Sequence, residues 1–383
     1  MKIIFWSSLL LVFYAYFLYP VLIYILSQFY KKPVREKYLY PKISVIVAAY
    51  NEEANIENKI KTLLSLEYPE NNIEFLIGSD GSTDKTDEII KSYPRINFYK
   101  QENRQGKPSM LNFLVSKVKG EIIVFTDARQ RLDTKAVQEI VKYFENPKVG
   151  SVSGELHYEW EEGNKTAPGL GLYWQYEKFI RKSESRMGSM LGATGALYAI
   201  RRELFPVLPA DLILDDVYIP LKIVERGYRA VFDKRAKVYD KVFNDTKIEF
   251  LRKTRTLAGN YQLFFYLREL FNPFRGKISW QFFSHKFLRL MVPFLLIMLL
   301  VSNVAVLKIG TVPFGDSPYF YPVFLLLQII FYVFALLGVL LKNKNKVFDI
   351  PRMFCLMNIA AVVGLYQILF KKIDSKWQKA ANA

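Results

Sequence analysis

Acidic side chains stand at positions of the sequence where a carboxylate could do chemistry. Asp80 and Asp127 each follow a short hydrophobic run, and Asp215 and Asp216 are adjacent to each other between apolar residues. A carboxylate can take a proton from an attacking hydroxyl group, or hold a divalent metal that neutralises a leaving group. Adjacent acids also occur at solvated helix N-termini. The hydrophobic flanks of the Asp215–Asp216 pair argue against that interpretation, because they predict burial.

Basic side chains accompany these acids. Lys107 follows a glycine, and Arg129 lies two residues after Asp127. Arg252 and Arg255 are spaced so that both guanidinium groups lie on one face of a predicted helix. Such cations could bind a diphosphate, although Lys107 could equally be an ordinary surface lysine.

The elements that must position these residues alternate between strands and helices across residues 42–240. This alternation predicts an α/β fold built on a parallel sheet that is covered on both faces. Ligands bind beyond the carboxyl ends of the strands in such sheets, so Asp80 and Asp127 should face one crevice. The predicted strands are residues 43–49, 74–78, 95–99 and 121–126, and the predicted helices end near residues 66, 92 and 117.

Long apolar segments flank this region. Residues 3–26 contain no charged side chain and are long enough to cross a bilayer. We therefore interpret residues 1–30 as a retained transmembrane anchor. The basic residues between Lys31 and Lys37 predict that the chain after the anchor is cytoplasmic and that the N-terminus is outside.

A C-terminal membrane region is predicted for residues 287–370, with spans at residues 290–307 and 319–341. Whether residues 353–370 also cross stays open, because crossing would place the basic tail, residues 371–383, outside, against the positive-inside rule. Residues 261–286 mix aromatic and basic side chains. They are predicted to form an interfacial helix region, with a domain-surface helix as the alternative.

The composition narrows the class of protein. The chain has 383 residues, a hydrophobic fraction of 51% and a net charge of +17. Much of the basic charge flanks apolar runs, which favours a membrane surface over nucleic acid as partner. The single cysteine, Cys355, allows neither an intramolecular disulfide nor a zinc cluster of cysteines. The few spans, with no charged residue deep within them, argue against a transporter.

Several motifs of this region occur in the order in which glycosyltransferase family 2 has them. The chain resembles this inverting family of GT-A fold, which includes cellulose, chitin and hyaluronan synthases. The resemblance implies a cytoplasmic GT-A (Rossmann-like) domain over residues 42–260, with flanking transmembrane helices. The motifs are residues 45–52 (VIVAAYNE), 78–84 (GSDGSTD), 106–112 (GKPSMLN), 125–129 (FTDAR), 192–195 (GATG), 214–216 (LDD) and 252–256 (RKTRT).

The resemblance also implies a role for each of these residues. Asp216 is the implied general base, Asp127 the contact to a divalent metal (Mg²⁺ or Mn²⁺) or to the ribose, and Asp80 an acceptor for the uracil ring or the ribose. Arg129 replaces the second acid of the family's Asp-x-Asp motif, so we expect the metal to be held less firmly. The expected nucleotide-sugar contacts are Tyr50, Glu52, Asp80, Lys107, Asp127, Arg129, Arg252 and Arg255, and the expected acceptor-side residues are Asp215, Gly192, Thr194, Gly195 and Trp174.

The expected function is transfer of a hexosyl or N-acetylhexosaminyl group from a nucleotide-sugar, expected to be UDP-linked, to a glycan or lipid-linked acceptor. The reaction would take place at the cytoplasmic membrane face, in polysaccharide or glycolipid synthesis, without a nucleic-acid partner. The alternative is a processive synthase that extrudes its product. The flanking spans favour that alternative, but Thr256 stands where processive members have a tryptophan that stacks on sugar. A membrane nucleotidyltransferase and a transporter are minor alternatives.

Overall fold

The computed structural model describes residues 1–159, 168–241, 246–309, 319–341 and 345–371. These residues form two compact units. The sheet unit comprises residues 27–159 and 181–241, and the helical unit comprises residues 1–26, 168–180 and the described residues from 246 to 371. Residues 168–180 and 246–260, which lie within the predicted catalytic domain, belong to the helical unit.

The sheet unit is built on a mixed sheet. In the described part of the chain it has eight strands in the order β3-β2-β1-β4-β7-β6-β8-β5. Every residue of β1 is buried, as expected for a strand covered on both faces. The strands are β1 (Ile43–Ala49), β2 (Ile73–Asp80), β3 (Ile96–Gln101), β4 (Ile122–Phe125), β5 (Arg131–Leu132), β6 (Val149–Glu159), β7 (Tyr198–Arg201) and β8 (Arg229–Lys241).

The predicted α/β class is confirmed, but the sheet is not wholly parallel. β1 to β4 pair in parallel, whereas β7 lies antiparallel between β4 and β6. Phe125, at the end of β4, pairs with Tyr198, at the start of β7. The loop that precedes β7 therefore lies at the edge of the sheet where β4 ends, and this edge carries Asp80 and Asp127.

Helices of the sheet unit cover the sheet. The first of them buries Ile56, Ile60 and Leu63, a spacing that forms one apolar face of a helix. Together with strand residues such as Val45 and Val124, these side chains belong to one hydrophobic core. The helices are α3 (Ile56–Leu64), α4 (Thr86–Lys91), α5 (Lys107–Val115), α6 (Ala136–Val141) and α8 (Asp215–Glu225).

The helical unit contains long apolar helices. Among the described residues, four helices are long and apolar enough to cross a membrane: Lys2–Phe29, Lys277–Lys308, Phe320–Leu340 and Lys346–Phe370. The first consists of α1 (Lys2–Phe13) and α2 (Tyr19–Phe29), joined by a π-helical turn. The second consists of α10 (Lys277–Gln281), a π-helical segment and α11 (Leu288–Ile309). The third and fourth are α12 (Phe320–Leu340) and α13 (Lys346–Phe370).

Two further helices belong wholly or partly to the helical unit, namely α7 (Pro168–Met187) and α9 (Thr246–Tyr266). Gly364 of α13 lies so close to α9 that an added Cβ would be 2.9 Å from the backbone nitrogen of Ala258. This close packing explains why α9 belongs with the apolar helices.

Whether residues 261–286 lie at a membrane interface stays a prediction. They comprise the end of α9, two short 3₁₀ turns and the start of the helix that continues into α11. Residues 353–370 lie within α13, and whether they cross a membrane stays a prediction. Residues 310–318 and the part of the predicted tail beyond Lys371 lie outside the described residues.

Candidate active site

Asp80, at the end of β2, has no exposed surface. Its carboxylate oxygens accept hydrogen bonds from the backbone N–H groups of Gln105 and Gly106, each at 2.7 Å. Gly81 has a φ of +69°, and a Cβ there would be 2.8 Å from the backbone nitrogen of Arg104. Asp80 is therefore buried and fixes the turn that precedes Lys107, and its contact with a nucleobase or ribose stays a prediction.

The segment after β1 carries Tyr50 and Glu52. The guanidinium of Arg104 lies over the Tyr50 ring, 4.0 Å from its centroid, and forms a cation–π contact. Glu52 accepts a hydrogen bond from the side chain of Asn55 at 2.7 Å. Tyr50 and Glu52 thus lie at the predicted edge of the sheet. Arg104 was missed, because its partner Tyr50 is distant in sequence.

Lys107, the first residue of α5, joins two of the predicted acids. Its Nζ lies 2.9 Å from Oδ1 of Asp127 and 3.1 Å from Oδ1 of Asp215. The other oxygen of Asp215 accepts a hydrogen bond from the hydroxyl of Tyr198 at 3.2 Å, and the Tyr198 ring stacks on Phe125 of β4. The structure therefore brings together residues from three of the predicted motifs.

Asp216 is held by the loop that precedes β7. Its Oδ2 accepts from the backbone N–H of Gly195 at 3.0 Å, and its backbone oxygen accepts from Ala193 at 2.8 Å. The backbone N–H of Thr194 donates to the hydroxyl of Ser153 at 3.0 Å. Gly192 packs against Val217, because a Cβ there would be 3.0 Å from the valine side chain. The predicted base and the predicted acceptor loop are thus hydrogen-bonded neighbours.

Asp127 and Asp216 both lie next to Gly195. A Cβ on this residue would lie 3.3 Å from Oδ2 of Asp127 and 3.4 Å from Oδ2 of Asp216. The side chain of Asp127 is 36% exposed, so it borders open space. Because glycine has no side chain, there is space in front of these two carboxylates, which belong to different motifs.

Electrostatics separates the roles of these groups. Burial raises the pKa of Asp216 to about 6, and the charge of Asp215 adds to that rise while Lys107 opposes it. Burial alone would lower the pKa of Lys107, but Asp127, Asp215 and Asp216 raise it above its usual value. Lys107 is therefore a permanent cation, and Asp216 has a pKa near the range that suits a general base.

Arg129 stands where the resemblance predicts a second metal-binding acid. Its guanidinium forms an ion pair with Asp240 of β8, which is 4% exposed and also accepts a hydrogen bond from the side chain of Gln130. Asp240 thus balances the charge of Arg129. This ion pair weakens the attraction that Arg129 could exert on a phosphate. The sequence analysis missed Asp240, although it lies near a strand end as Asp80 and Asp127 do.

The acidic side chains fit a divalent cation only in part. No group of three His, Cys, Asp or Glu side chains suited to holding a metal lies in the parts of the chain that the structure describes. A hard cation such as Mg²⁺ is often held by one or two carboxylates together with substrate phosphates. Asp127 therefore fits a cation that binds together with a diphosphate, and it does not fit a metal held by protein ligands alone.

Trp174, Arg252 and Arg255 belong to the helical unit. Trp174 lies on α7, where the Nζ of Lys253 is 4.3 Å from the centre of its ring. Arg252 and Arg255 are on α9, half-buried. Their predicted roles at the acceptor and the diphosphate stay predictions.

Comparisons with known proteins show which family the chain resembles. Residues 44–208 match the family model described as glycosyl transferase family 2. This range is less than half of the chain, and over it the chain is similar to the family. The predicted resemblance and the predicted α/β fold are therefore confirmed. The matched range includes Asp80, Lys107, Asp127 and Gly195, whereas Asp215 and Asp216 follow it.

Two curated relatives of the chain carry names that give different products. The poly-β-1,6-N-acetyl-D-glucosamine synthase of Staphylococcus epidermidis is 26% identical over 247 residues, which are 61% of this chain and 58% of that protein. A β-monoglucosyldiacylglycerol synthase of Nostoc sp. is 31% identical over 150 residues, which are 36% of this chain and 32% of that protein. The chain thus spans less than two thirds of the length of either relative.

A solved structure resembles the whole chain. It is a mannosyltransferase from Pyrobaculum calidifontis in complex with GDP-mannose and Mn²⁺, with a TM-score of 0.73 and 22% sequence identity. The match covers 97% of this chain and all of that chain. This likeness shows that the two chains share a fold.

Proposed function

We propose that the chain is an inverting glycosyltransferase that transfers the sugar of a nucleoside diphosphate sugar to a hydroxyl acceptor. The observation that carries this proposal is the meeting of Asp127 and Asp216 in front of Gly195. Asp127, whose carboxylate lies next to Lys107, suits the diphosphate side of the reaction. Asp216, whose pKa is raised to about 6, suits the acceptor side.

In this mechanism, Asp216 takes the proton of the acceptor hydroxyl as its oxygen attacks C1 of the sugar. The bond from C1 to the diphosphate oxygen breaks on the opposite face, so the configuration at C1 is inverted. The nucleoside diphosphate leaves as an anion, and Lys107 compensates its charge. A divalent cation at Asp127 would supply further charge neutralisation when bound. Asp215 and Tyr198 hold Lys107 at that place.

We further propose that the acceptor is a glycan or a lipid-linked molecule, used at the cytoplasmic face of a membrane. The names of the two relatives, a polysaccharide synthase and a glycolipid synthase, support this range of acceptors. The four apolar helices and the basic residues after the first of them support the location. UDP and GDP are both candidate carriers, because the solved neighbour contains GDP-mannose.

The proposal is tested with the full chain in nanodiscs, supplied with Mn²⁺, a lipid extract and a panel of UDP- and GDP-sugars. Release of the nucleoside diphosphate from one donor, and its loss in Asp216→Asn, is the expected result. Asp211→Asn is the matched control, since Asp211 is exposed in the loop before α8. Release of pyrophosphate would instead identify a nucleotidyltransferase. Product length separates single transfer from a processive synthase.

A further inference from the structure

Lys59 is a lysine in the interior of the sheet unit. It lies on α3, between the core residues Ile56 and Ile60, and only 2% of it is exposed. A lysine is almost never fully buried unless it is paired. No carboxylate of the described residues forms an ion pair with it. Its burial therefore needs another explanation.

The Lys59 amine binds the segment that carries Asp127. Its Nζ donates to the hydroxyl of Thr126 at 2.6 Å and to the backbone oxygen of Gln130 at 2.9 Å. These residues flank Asp127 and Arg129 on either side. One amine therefore fixes both ends of the turn, residues 126–130, that presents the predicted donor-side carboxylate.

The contact extends to the acceptor loop. The hydroxyl of Thr126 accepts from Lys59, and it donates its own hydrogen to the backbone oxygen of Ala196 at 2.7 Å. Ala196 follows Gly195, whose N–H binds Asp216. A hydrogen-bonded chain thus runs from Lys59 through Thr126 to the loop that holds the predicted base.

We propose that Lys59 is a positioning residue, whose buried amine holds the Asp127 turn and the Gly195 loop in one fixed arrangement. This inference rests on the proposed function, since it assigns the two loops to the donor and acceptor sides of one transfer. Lys59 itself touches neither substrate.

The chemistry of a buried amine agrees with this role. Burial lowers the pKa of Lys59 to about 7, although Asp127 works in the opposite direction. A neutral amine has two N–H groups, and Lys59 has two acceptors. The hydrogen bonds can therefore persist when the side chain loses its proton.

The test compares Lys59→Met with Lys61→Met in the full chain. Lys61 is on the same helix, but its side chain is 61% exposed. Methionine keeps the length of the side chain and removes the donors. Misplacement of reacting groups by about 1 Å can slow a reaction about 100-fold. We expect turnover of Lys59→Met to fall about 10- to 100-fold, with little change in the donor KM, and Lys61→Met to match wild type.

A second variant separates positioning from general stability. Thr126→Val removes the hydroxyl, so it should lower turnover as Lys59→Met does. The double variant should then be no slower than the slower single variant, because both changes break the same chain of contacts. A purely structural role predicts a lower thermal midpoint for these variants. A positioning role predicts little change in the midpoint, because an apolar replacement of a buried charge is often neutral or stabilising.

Hydrogen exchange provides a readout that does not depend on activity. In Lys59→Met we expect amide exchange to rise about fivefold in the peptides covering residues 126–130 and 192–196, while other peptides of the sheet unit keep their rates. Unchanged exchange in both peptides would overturn the inference about Lys59. Wild-type protein that turns over no donor, but shows this local change in the variant, would reject the proposed function and leave the positioning role intact.

Discussion

Asp216→Asn should remove catalysis and stabilise the protein at the same time. Burial raises the pKa of Asp216 from 3.8 to about 6, so the folded state favours the neutral acid. Stability from this group is present at low pH and is lost as the pH rises through about 6. About two pKa units correspond to about 3 kcal/mol. Asparagine stays neutral at every pH and can still accept the hydrogen bond from Gly195.

At pH 7.5 we therefore expect Asp216→Asn to raise the free energy of unfolding of the sheet unit by up to about 3 kcal/mol. Loss of a general base should lower turnover about 10²- to 10⁴-fold. Thermal unfolding in detergent and nucleoside diphosphate release measure the two effects. The gain in thermal midpoint should shrink as the pH falls towards 4, because the wild-type acid then also becomes neutral.

Two results would refute this reasoning. A lower thermal midpoint at pH 7.5 would mean that Asp216 is a structural anion, held by contacts that asparagine cannot make. Turnover close to wild type would mean that another group takes the proton. Asp211→Asn should change neither quantity, which controls for the loss of one negative charge.

The remaining predictions concern the surroundings of this base. Gly195→Ala places a methyl group against Asp127 and Asp216, so turnover should fall at least about tenfold with little change in thermal midpoint; equal turnover would show that the space is not used. Arg129→Ala leaves the buried Asp240 without its ion pair, which should destabilise the protein by about 3–5 kcal/mol, and Arg129→Ala with Asp240→Ala should recover much of that loss; an unchanged midpoint in the single variant would contradict the pairing. Excess chelator should abolish most turnover, and added Mn²⁺ should restore it; full turnover in chelator would remove the metal from the mechanism. Turnover should also fall below about pH 6 as the base is protonated, and a flat profile down to pH 4.5 would argue against this base.

The sequence predicts the first half of the sheet well. β1 to β4 are short runs of apolar residues bounded by polar turns, and each lies within two residues of its predicted position. β5 to β8 were not predicted. β7 has only four residues and is inserted antiparallel between β4 and β6. Its position is decided by pairing between segments that are distant in the chain, which local patterns do not show.

The acidic residues of the site could be predicted from the sequence. The residues that contact them were harder to predict. Asp127 and Asp216 follow from their apolar flanks and from the family motifs. The backbone N–H groups that bind the carboxylate of Asp80 lie 25 and 26 positions away in the chain, so the sequence does not reveal them. Lys59 looks like a surface lysine in the sequence. Its role becomes visible only when Thr126 and Gln130 are placed against α3.

The assignment of the first part of α7 to the helical unit has a consequence for protein engineering. Its residues 168–180 lie in the sequence between two segments of the sheet unit, yet they pack within the helical unit. Tyr176 donates to the backbone oxygen of Tyr16 in the first apolar helix, and Glu177 contacts His285 and forms an ion pair with Arg289. A soluble fragment made by trimming both ends of the chain would keep Glu177 without these partners. Removing or redesigning that stretch of α7 is therefore the first requirement for a catalytic domain that can be purified without detergent.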